Sequence, residues 1–291
     1  RIWTKFQLGI LAKVPQKKLD LLLKIPLVSS LIKKKLKKNL GLTRARSTVS
    51  GSAPIPVTQI KWFRKIGIYI TNGYGMTENC AICTQVDGRD FEKLHSVGKP
   101  QCGVEVEIDP KTEEVLMRGP YVMDGYYKNE KMTKATLVNG WLHTGDKGYL
   151  DEDNYLYITG RVADSFKSSK GKFIEPLTLE NYFGTIKELE ELCITGLGLP
   201  QPIALGQLSE IGKAVSKDEL IGFLEEKLAA INADLENYKK ISTLVLVKEQ
   251  WTEQNKILGP TLKIKRGNIE KMYAVKYKGW HEDPKSVLFE N

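Results

Sequence analysis

The sequence predicts a mixed α/β fold that passes into a separate α+β unit, about two domains in 291 residues. Three observations carry this. A short apolar run, Gly67 to Thr71, reads as a β-strand that delivers a glycine-flanked stretch, Asn72 to Glu78, at its end. That is where open α/β sheets bind ligands. Residues 95–160 then alternate in the manner of β-hairpins, and after Arg161 the pattern becomes that of short strands and amphipathic helices. The boundary accordingly falls between residues 160 and 161.

The composition, 41% hydrophobic and 27% charged, excludes neither an enzyme nor a binding module. It shows no run near the roughly 18 apolar residues of a membrane span and no signal peptide. The net charge of +9 is concentrated at one end: residues 1–50 hold 13 Lys and Arg against the one acid Asp20, and the rest holds 31 against 34. A nucleic-acid-binding protein as a whole is therefore not indicated. Cys80, Cys83, Cys102 and Cys193 form no second Cys-x-x-Cys, and with only three His the pattern favours reduced thiols in a cytoplasmic protein over a zinc site.

From Lys17 to Leu40 the periodicity is helical, broken at Pro26. Leu19, Leu22 and Leu23 share a face. After Pro26, an apolar stripe of Leu27, Leu31, Ile32 and Leu36 runs beside Lys33, Lys34, Lys35, Lys37 and Lys38, and Gly41 supplies a stop. Such a helix either docks its stripe on its own domain or rests on anionic lipid at the inner face of a membrane.

Val49 to Pro54 reads as a strand entering a small-residue turn, and residues 57–66 as a helix opened by Pro56. In the stretch that follows, Gly73 and Gly75 let backbone approach a ligand. Tyr74 offers a flat face to a base, Thr77 a donor for a phosphate oxygen, and Glu78 a hard oxygen ligand for magnesium. Alone, so short a motif is weak. Val104–Ile108 and Glu114–Arg118 flank the turn Asp109-Pro110-Lys111-Thr112. Glu130–Thr136 reads as a helix, and Gly140 to Asp146 as a strand entering a Thr-Gly-Asp turn. Tyr149-Leu150 and Tyr155–Ile158 form a hairpin across Asp151–Asn154 and lead to Gly160-Arg161. Asp146 and Arg161 suit a ribose diol.

In the last part, Ser165–Lys167 and Phe173-Ile174 flank a hairpin turn that holds Gly171 and Lys172. Pro176–Thr185 reads as a helix with Leu177, Leu179, Tyr182 and Phe183 on its buried side. Strands are expected at Leu192–Leu199 and Ile203–Leu208. Ser216-x-x-Glu219 resembles a capping box opening a helix to about Tyr238, and Leu244–Val247 reads as a final strand before the loop carrying Lys263.

The order of motifs Gly73-Tyr74-Gly75-Met76-Thr77-Glu78, Gly140 to Asp146, Gly160-Arg161-x-x-Asp164-x-x-Lys167 and Gly259-Pro260-Thr261-Leu262-Lys263-Ile264-Lys265-Arg266 resembles the adenylate-forming (AMP-binding) enzymes. The last motif has the form found in long-chain fatty acyl-CoA synthetases. The resemblance implies that residues 1–160 are the C-terminal part of a large α/β adenylation domain with a β-rich section. It implies that 161–291 are a small, mobile α+β lid domain. It implies ATP, Mg²⁺ and CoA as cofactors and co-substrate, and a fatty acid as substrate. Tyr74 would stack on adenine, with Ser52, Ala53 and Pro54 against its other face and Asn72 near the amino group. Gly73 and Gly75 complete that turn. Thr77 would bind the α-phosphate and Glu78 the magnesium, while Asp146 and Arg161 would hold the ribose. Lys263 would be the catalytic lysine, and Lys172 lies in the hairpin presented to CoA. Ala163 stands where the family's hinge residue is usually Asp or Lys.

The family's Ser/Thr/Gly-rich phosphate loop is absent, and Gly51-Ser52-Ala53 does not replace it. The expectation is that Arg1 falls inside the large domain of a longer enzyme and that these residues alone lack ATP–pyrophosphate exchange. Two other readings stand beside a CoA ligase: an enzyme that loads a carrier protein or reductase, and a non-catalytic lipid- or partner-binding remnant.

Overall fold

A computed structural model describes residues 16–52, 55–260 and 262–290. They divide into two compact units, the second beginning at Thr159 and including Gly145–Lys147.

In the first unit, helix α1 (Gln16–Leu22) ends short of Pro26, which opens α2 (Pro26–Asn39). A proline at the first helical position forfeits no intrahelical hydrogen bond, so the break and the restart have one cause. Strand β1 (Thr48–Ser50) and helix α3 (Val57–Lys65) lead to β2 (Ile70–Tyr74), which pairs in parallel with β1. Strands β3 (Thr84–Val86) and β4 (Lys99–Pro100) extend the sheet antiparallel, in the order β1-β2-β3-β4. Leu19 and Leu36 are buried against Trp62, Phe63, Ile66 and Ile68, with Leu23, Ile32 and Leu40 packed around them. The expected stripe therefore splits. Ile32 and Leu36 turn inward, whereas Leu27 and Leu31 stay 83% and 71% exposed.

The β-rich section supplies a second sheet. Strands β5 (Glu105–Ile108) and β6 (Glu114–Arg118) form the expected hairpin, closed by Asp109, whose side chain accepts from the N–H groups of Lys111 and Thr112. Helix α4 (Glu130–Thr136) and β7 (Leu137–Val138) follow, then the long β8 (Trp141–Leu150) and β9 (Leu156–Arg161). The order is β5-β6-β8-β7, with β9 on β8. Val115, Met117, Leu142, Leu156 and Cys83 form the core below it.

In the second unit, β10 (Phe166–Lys167) and β11 (Phe173–Ile174) make the short hairpin, and helix α5 (Pro176–Phe183) follows. Strands β12 (Leu189–Thr195), β13 (Ile203–Leu208), β14 (Leu244–Leu246) and β15 (Val287–Phe289) form one sheet in that order. β12 and β13 are antiparallel, and the other pairs are parallel. The run Ile203–Gly206 is buried at every residue because the sheet is covered on both faces. Ala204, Leu244 and Leu246 face Leu179, Phe183, Leu220, Leu224 and Leu228 of α5 and of α7 (Lys217–Ala233), the helix that follows the single turn α6 (Glu210–Lys213). Ile203, Leu205 and Val245 face Trp251, Ile257 and the residues Ile269, Tyr273 and Tyr277 of α8 (Arg266–Tyr273) and α9 (Tyr277–Glu282).

Several expectations are corrected. Asn72, Gly73 and Tyr74 belong to strand β2 and not to a turn after it, because each pairs with β3. Thr144-Gly145-Asp146 is not a turn: β8 runs through it, with Gly145 at φ +72°. Helix α7 stops at Ala233, five residues early. The side chain of Asn232 exchanges two hydrogen bonds of 2.8 Å with the backbone of Ile241 and draws the chain back. Ser216 sits at the N-cap without a side-chain bond to backbone, its Oγ lying 3.5 Å from Glu219 Oε2. Tyr182 is 47% exposed. Leu244–Leu246 is the last strand before the loop carrying Lys263, as expected, and α8, α9 and β15 follow that loop.

A half-buried ion cluster joins four parts of the second unit. Arg266 Nε lies 3.2 Å from Asp164 Oδ2, Nη2 donates to Glu180 Oε1, and Nη1 donates to the Ile194 carbonyl at 2.8 Å. Replacing it by alanine leaves two carboxylates without their cation, so Arg266→Ala is expected to cost about 3 kcal/mol in urea unfolding. A Lys replacement, which lacks the fork, should recover only part of that loss.

On β12, burial with Glu190 alongside pushes the Glu191 carboxyl from its ordinary 4.5 up to about 7. The folded state therefore holds this proton more tightly than the unfolded chain does. Stability from this group is full below pH 4.5 and is lost as pH rises through 7. Unfolding midpoints between pH 5 and pH 8 should fall for the wild type and fall less for Glu191→Gln.

Candidate functional site

The Asn72–Glu78 stretch is built by close backbone packing. A Cβ on Gly75 would lie 2.5 Å from the Ala81 carbonyl carbon, so only glycine fits where the chain folds back on itself. Thr77–Asn79 forms one 3₁₀ turn, and Cys80 and Ala81 follow at φ 55° and 58°. Buried Asn79 holds this turn, accepting from the Met76 N–H at 2.9 Å and donating to Met117 Sδ. Thr77 is thereby left exposed and Glu78 half-buried.

Glu78 is fixed at both ends. Its carbonyl accepts from the Met123 N–H at 2.8 Å, and its Oε1 accepts from the Tyr126 hydroxyl at 2.8 Å. A carboxylate offers about four lone-pair sites, so one hydrogen bond leaves room for a hard cation. The donor set fits magnesium, which binds through one or two carboxylates with phosphates and waters completing its shell.

Upstream in the strand, Asn72 is buried with Nδ2 donating to the Ser96 carbonyl at 3.2 Å. Tyr74 is half-buried beside Met76, both packed on the Cys83–Val115–Met117 core. Gly73 approaches the neighbouring strand closely, its carbonyl lying 3.2 Å from where a Gly51 Cβ would sit. Ser52 is exposed at φ 66° just past β1. Ala53 and Pro54 lie outside the described residues, as does Thr261.

The other expected residues fall in the second unit. Asp146 Oδ1 accepts from Arg161 Nε at 2.9 Å; the carboxylate side chain is 13% exposed and the guanidinium 58%. Beside them Lys147 pairs with Glu175 at 2.7 Å. Lys263 is exposed. It follows a tight turn in which the Leu262 N–H meets the Gly259 carbonyl and the Gly259 N–H meets the Lys263 carbonyl, both at 2.8 Å. A bridge between Leu258 and Ile264 closes the base of that turn. Lys172 is exposed in the β10–β11 hairpin, its Nζ 5.9 Å from the Tyr238 ring centre. With Lys170, Pro200, Gln201 and Asn237 it lines a groove of about 410 Å³. Ala163 is exposed in the turn after Arg161.

Sequence reading thus finds Asp146 and Arg161, which the fold brings into contact, but misses the partners that fix the other groups. Tyr126 is 48 residues from Glu78, with no spacing signal to link them. Arg266 was visible in the last motif, but its anchoring role was not. Cys80 and Cys83 are separated by burial, Cys80 exposed and Cys83 inside with its thiol pushed up to about 12. Burial likewise pushes the Cys193 thiol up to about 12.

Residues 12–127 match the family model described as AMP-binding enzyme. A chloroplastic long-chain-fatty-acid–[acyl-carrier-protein] ligase of Arabidopsis thaliana is 29% identical over 87% of this chain and 37% of its own length. A long-chain-fatty-acid–CoA ligase of Mycobacterium bovis is 28% identical over 84% of this chain and 43% of its own. Among solved structures, O-succinylbenzoate coenzyme A synthetase from Bacillus subtilis, in complex with ATP and magnesium ion, is similar with a TM-score of 0.63 and 28% identity. That match covers 76% of this chain and 46% of that one. The chain spans about two fifths of the length of these curated relatives. Its fold matches that of the adenylate-forming enzymes, and its sequence similarity is to the AMP-binding enzyme superfamily.

Proposed function

We propose that this chain is the C-terminal portion of an AMP-forming ligase that activates a long-chain fatty acid as its acyl-adenylate and passes the acyl group to CoA. In this reading residues 1–160 complete the large AMP-binding domain and 161–291 form its lid. The observation that carries it is the presentation of Lys263: an exposed ammonium at the end of a tight turn, three residues before Arg266, which is half-buried and held by Glu180.

The chemistry asks for such a group. As the carboxylate oxygen attacks the α-phosphorus, negative charge grows on the non-bridging oxygens and the bond to pyrophosphate breaks. A compact cation placed there stabilises the transition state more than the ground state. Thr77 would donate to the same phosphate, and Asp146 with Arg161 would hold the ribose hydroxyls. Tyr74 and Asn72 would face the base. The Ser96 carbonyl engages Asn72 Nδ2, and in this reading Oδ1 would accept from the adenine amino group. Glu78 would hold the magnesium, which when bound neutralises charge on the phosphates. In the second step the CoA sulfur attacks the acyl carbon and AMP departs, with Lys172 on the hairpin that meets CoA.

Two long-chain ligases among the relatives support the choice of acid. They differ in acceptor, and the similarity to an acyl-carrier-protein ligase favours a carrier protein as the second reading. In the full-length protein, Lys263→Ala should lower acyl-adenylate formation about 10²–10³-fold, read as pyrophosphate exchange. Undiminished exchange would overturn the assignment. Products formed from palmitate-like, short and aromatic acids with CoA or a carrier protein identify acid and acceptor.

The leader carries a further part of the proposal. Leu27 and Leu31 are exposed on the face of α2 that also holds Lys34, Lys35 and Lys38, a surface suited to anionic lipid. The full-length protein should sediment with anionic vesicles and not with zwitterionic ones, less so at high salt and less so after Leu27→Ser with Leu31→Ser. Equal recovery with both vesicle types, or no effect of the double variant, argues against lipid contact.

A further inference from the structure

We propose that Tyr126 is the positioning residue for the metal-binding carboxylate of Glu78, aiming it toward the cation through a hydroxyl–carboxylate hydrogen bond. The inference rests on the reading that Glu78 serves a nucleotide-bound metal, and it adds a residue that no motif assigns.

The structure spends several constraints on this one tyrosine. Gly125 has φ +156°, and a Cβ there would lie 2.8 Å from Thr133 Cγ2 and 2.9 Å from its Oγ1. Only glycine lets the chain come so close to α4. Having come close, it is clamped: the Tyr126 N–H donates to Thr133 Oγ1 at 2.9 Å, and that hydroxyl donates to the Asn129 carbonyl at 3.0 Å. Asn129 also caps α4, its Oδ1 accepting from the Met132 N–H at 3.1 Å. The Asn129 N–H in turn donates to the Tyr126 carbonyl at 3.1 Å.

The other end of the strap is tied to the motif. Met123 donates its N–H to the Glu78 carbonyl, and Tyr126 donates its hydroxyl to the Glu78 carboxylate, each at 2.8 Å. Backbone and side chain of the same glutamate are therefore held by one segment. The neighbouring Tyr127 is 87% exposed, so the segment turns one tyrosine in and the other out.

Without the hydrogen bond the Glu78 carboxylate regains rotamers that point away from the metal. Partners of this kind, which orient a metal ligand, are worth about 10–100-fold in metal affinity. A tyrosine that merely closed the strap would act on stability and leave the metal unaffected.

The test uses the full-length protein with Tyr126→Phe, Glu78→Gln and the wild type. Mn²⁺ binding in the presence of a non-hydrolysable ATP analogue is followed by the electron paramagnetic resonance signal of unbound Mn²⁺. Tyr126→Phe should weaken that binding about 10-fold or more. It should raise the Mg²⁺ concentration for half-maximal exchange by a similar factor, with the rate at saturating Mg²⁺ within a few-fold of wild type. Unchanged Mn²⁺ binding in Tyr126→Phe, beside weakened binding in Glu78→Gln, would overturn the positioning role whether or not thermal stability falls. Unchanged binding in Glu78→Gln would instead remove the underlying reading of Glu78, and the inference with it. If Tyr126→Phe proves unstable, Thr133→Val, which loosens the clamp without touching the hydroxyl, should give a smaller shift of the same sign; no shift counts against the proposal.

Discussion

The second unit depends on one cation that cannot leave. Arg266 is gripped by Asp164 at the end of the turn after β9, by Glu180 of α5 and by the Ile194 carbonyl of β12, while Glu180 Oε1 also accepts the Ile194 N–H at 2.8 Å. Buried pairs of this kind add little net stability against an apolar replacement, but they specify which elements meet. Here they join the residues just after Arg161 to those just after Lys263. The run Lys263-Ile264-Lys265-Arg266 divides its labour by burial: the two lysines are exposed, Ile264 packs on the core, and Arg266 is half-buried against its two carboxylates. Three cations in four residues thus have unlike environments. The rigid planar fork of arginine suits the inner position and the compact ammonium the outer one.

In the first unit the comparable constraint is steric. The stretch around Gly75 is held where it is because two backbone segments touch there, with no side chain between Gly75 and Ala81. Asn79 then satisfies the polar groups that this contact would strand. Thr77 and Glu78 are consequently carried on a short turn whose own hydrogen bonds do not involve their side chains. The geometry of the two functional groups and the integrity of the turn are separable.

What was legible in the sequence had a local cause. Pro26 marked a helix break, Asp109 and Asp151 marked hairpin turns, and the apolar runs at 203–208 and 244–247 marked strands. The site residues were legible as positions, because their chemical types recur in order along the chain. What was not legible depends on distant partners. Asn72–Tyr74 become strand only because β3 comes alongside, and α7 ends early because Asn232 finds Ile241. Helices α8 and α9 carry few apolar residues of their own and are fixed by Trp251 and Val245 across the sheet. The Tyr126–Glu78 contact spans two elements with no periodic relation. Propensity and turn chemistry are properties of neighbours in sequence, and these contacts are not.

Strand β15 has a consequence for the order in which the protein can be made. Val287 is buried in the core on one side of the sheet and Leu288 packs on the core of the other, while Leu244 and Leu246 wait 43 residues upstream for their parallel neighbour. Until Phe289 has been synthesised, β14 presents an uncovered edge and neither core of the second unit is sealed. In the first unit the β1–β4 sheet is built from strands that all lie within residues 48–100. Long-range parallel pairing like that of β14 with β15 closes slowly and exposes edges while it waits.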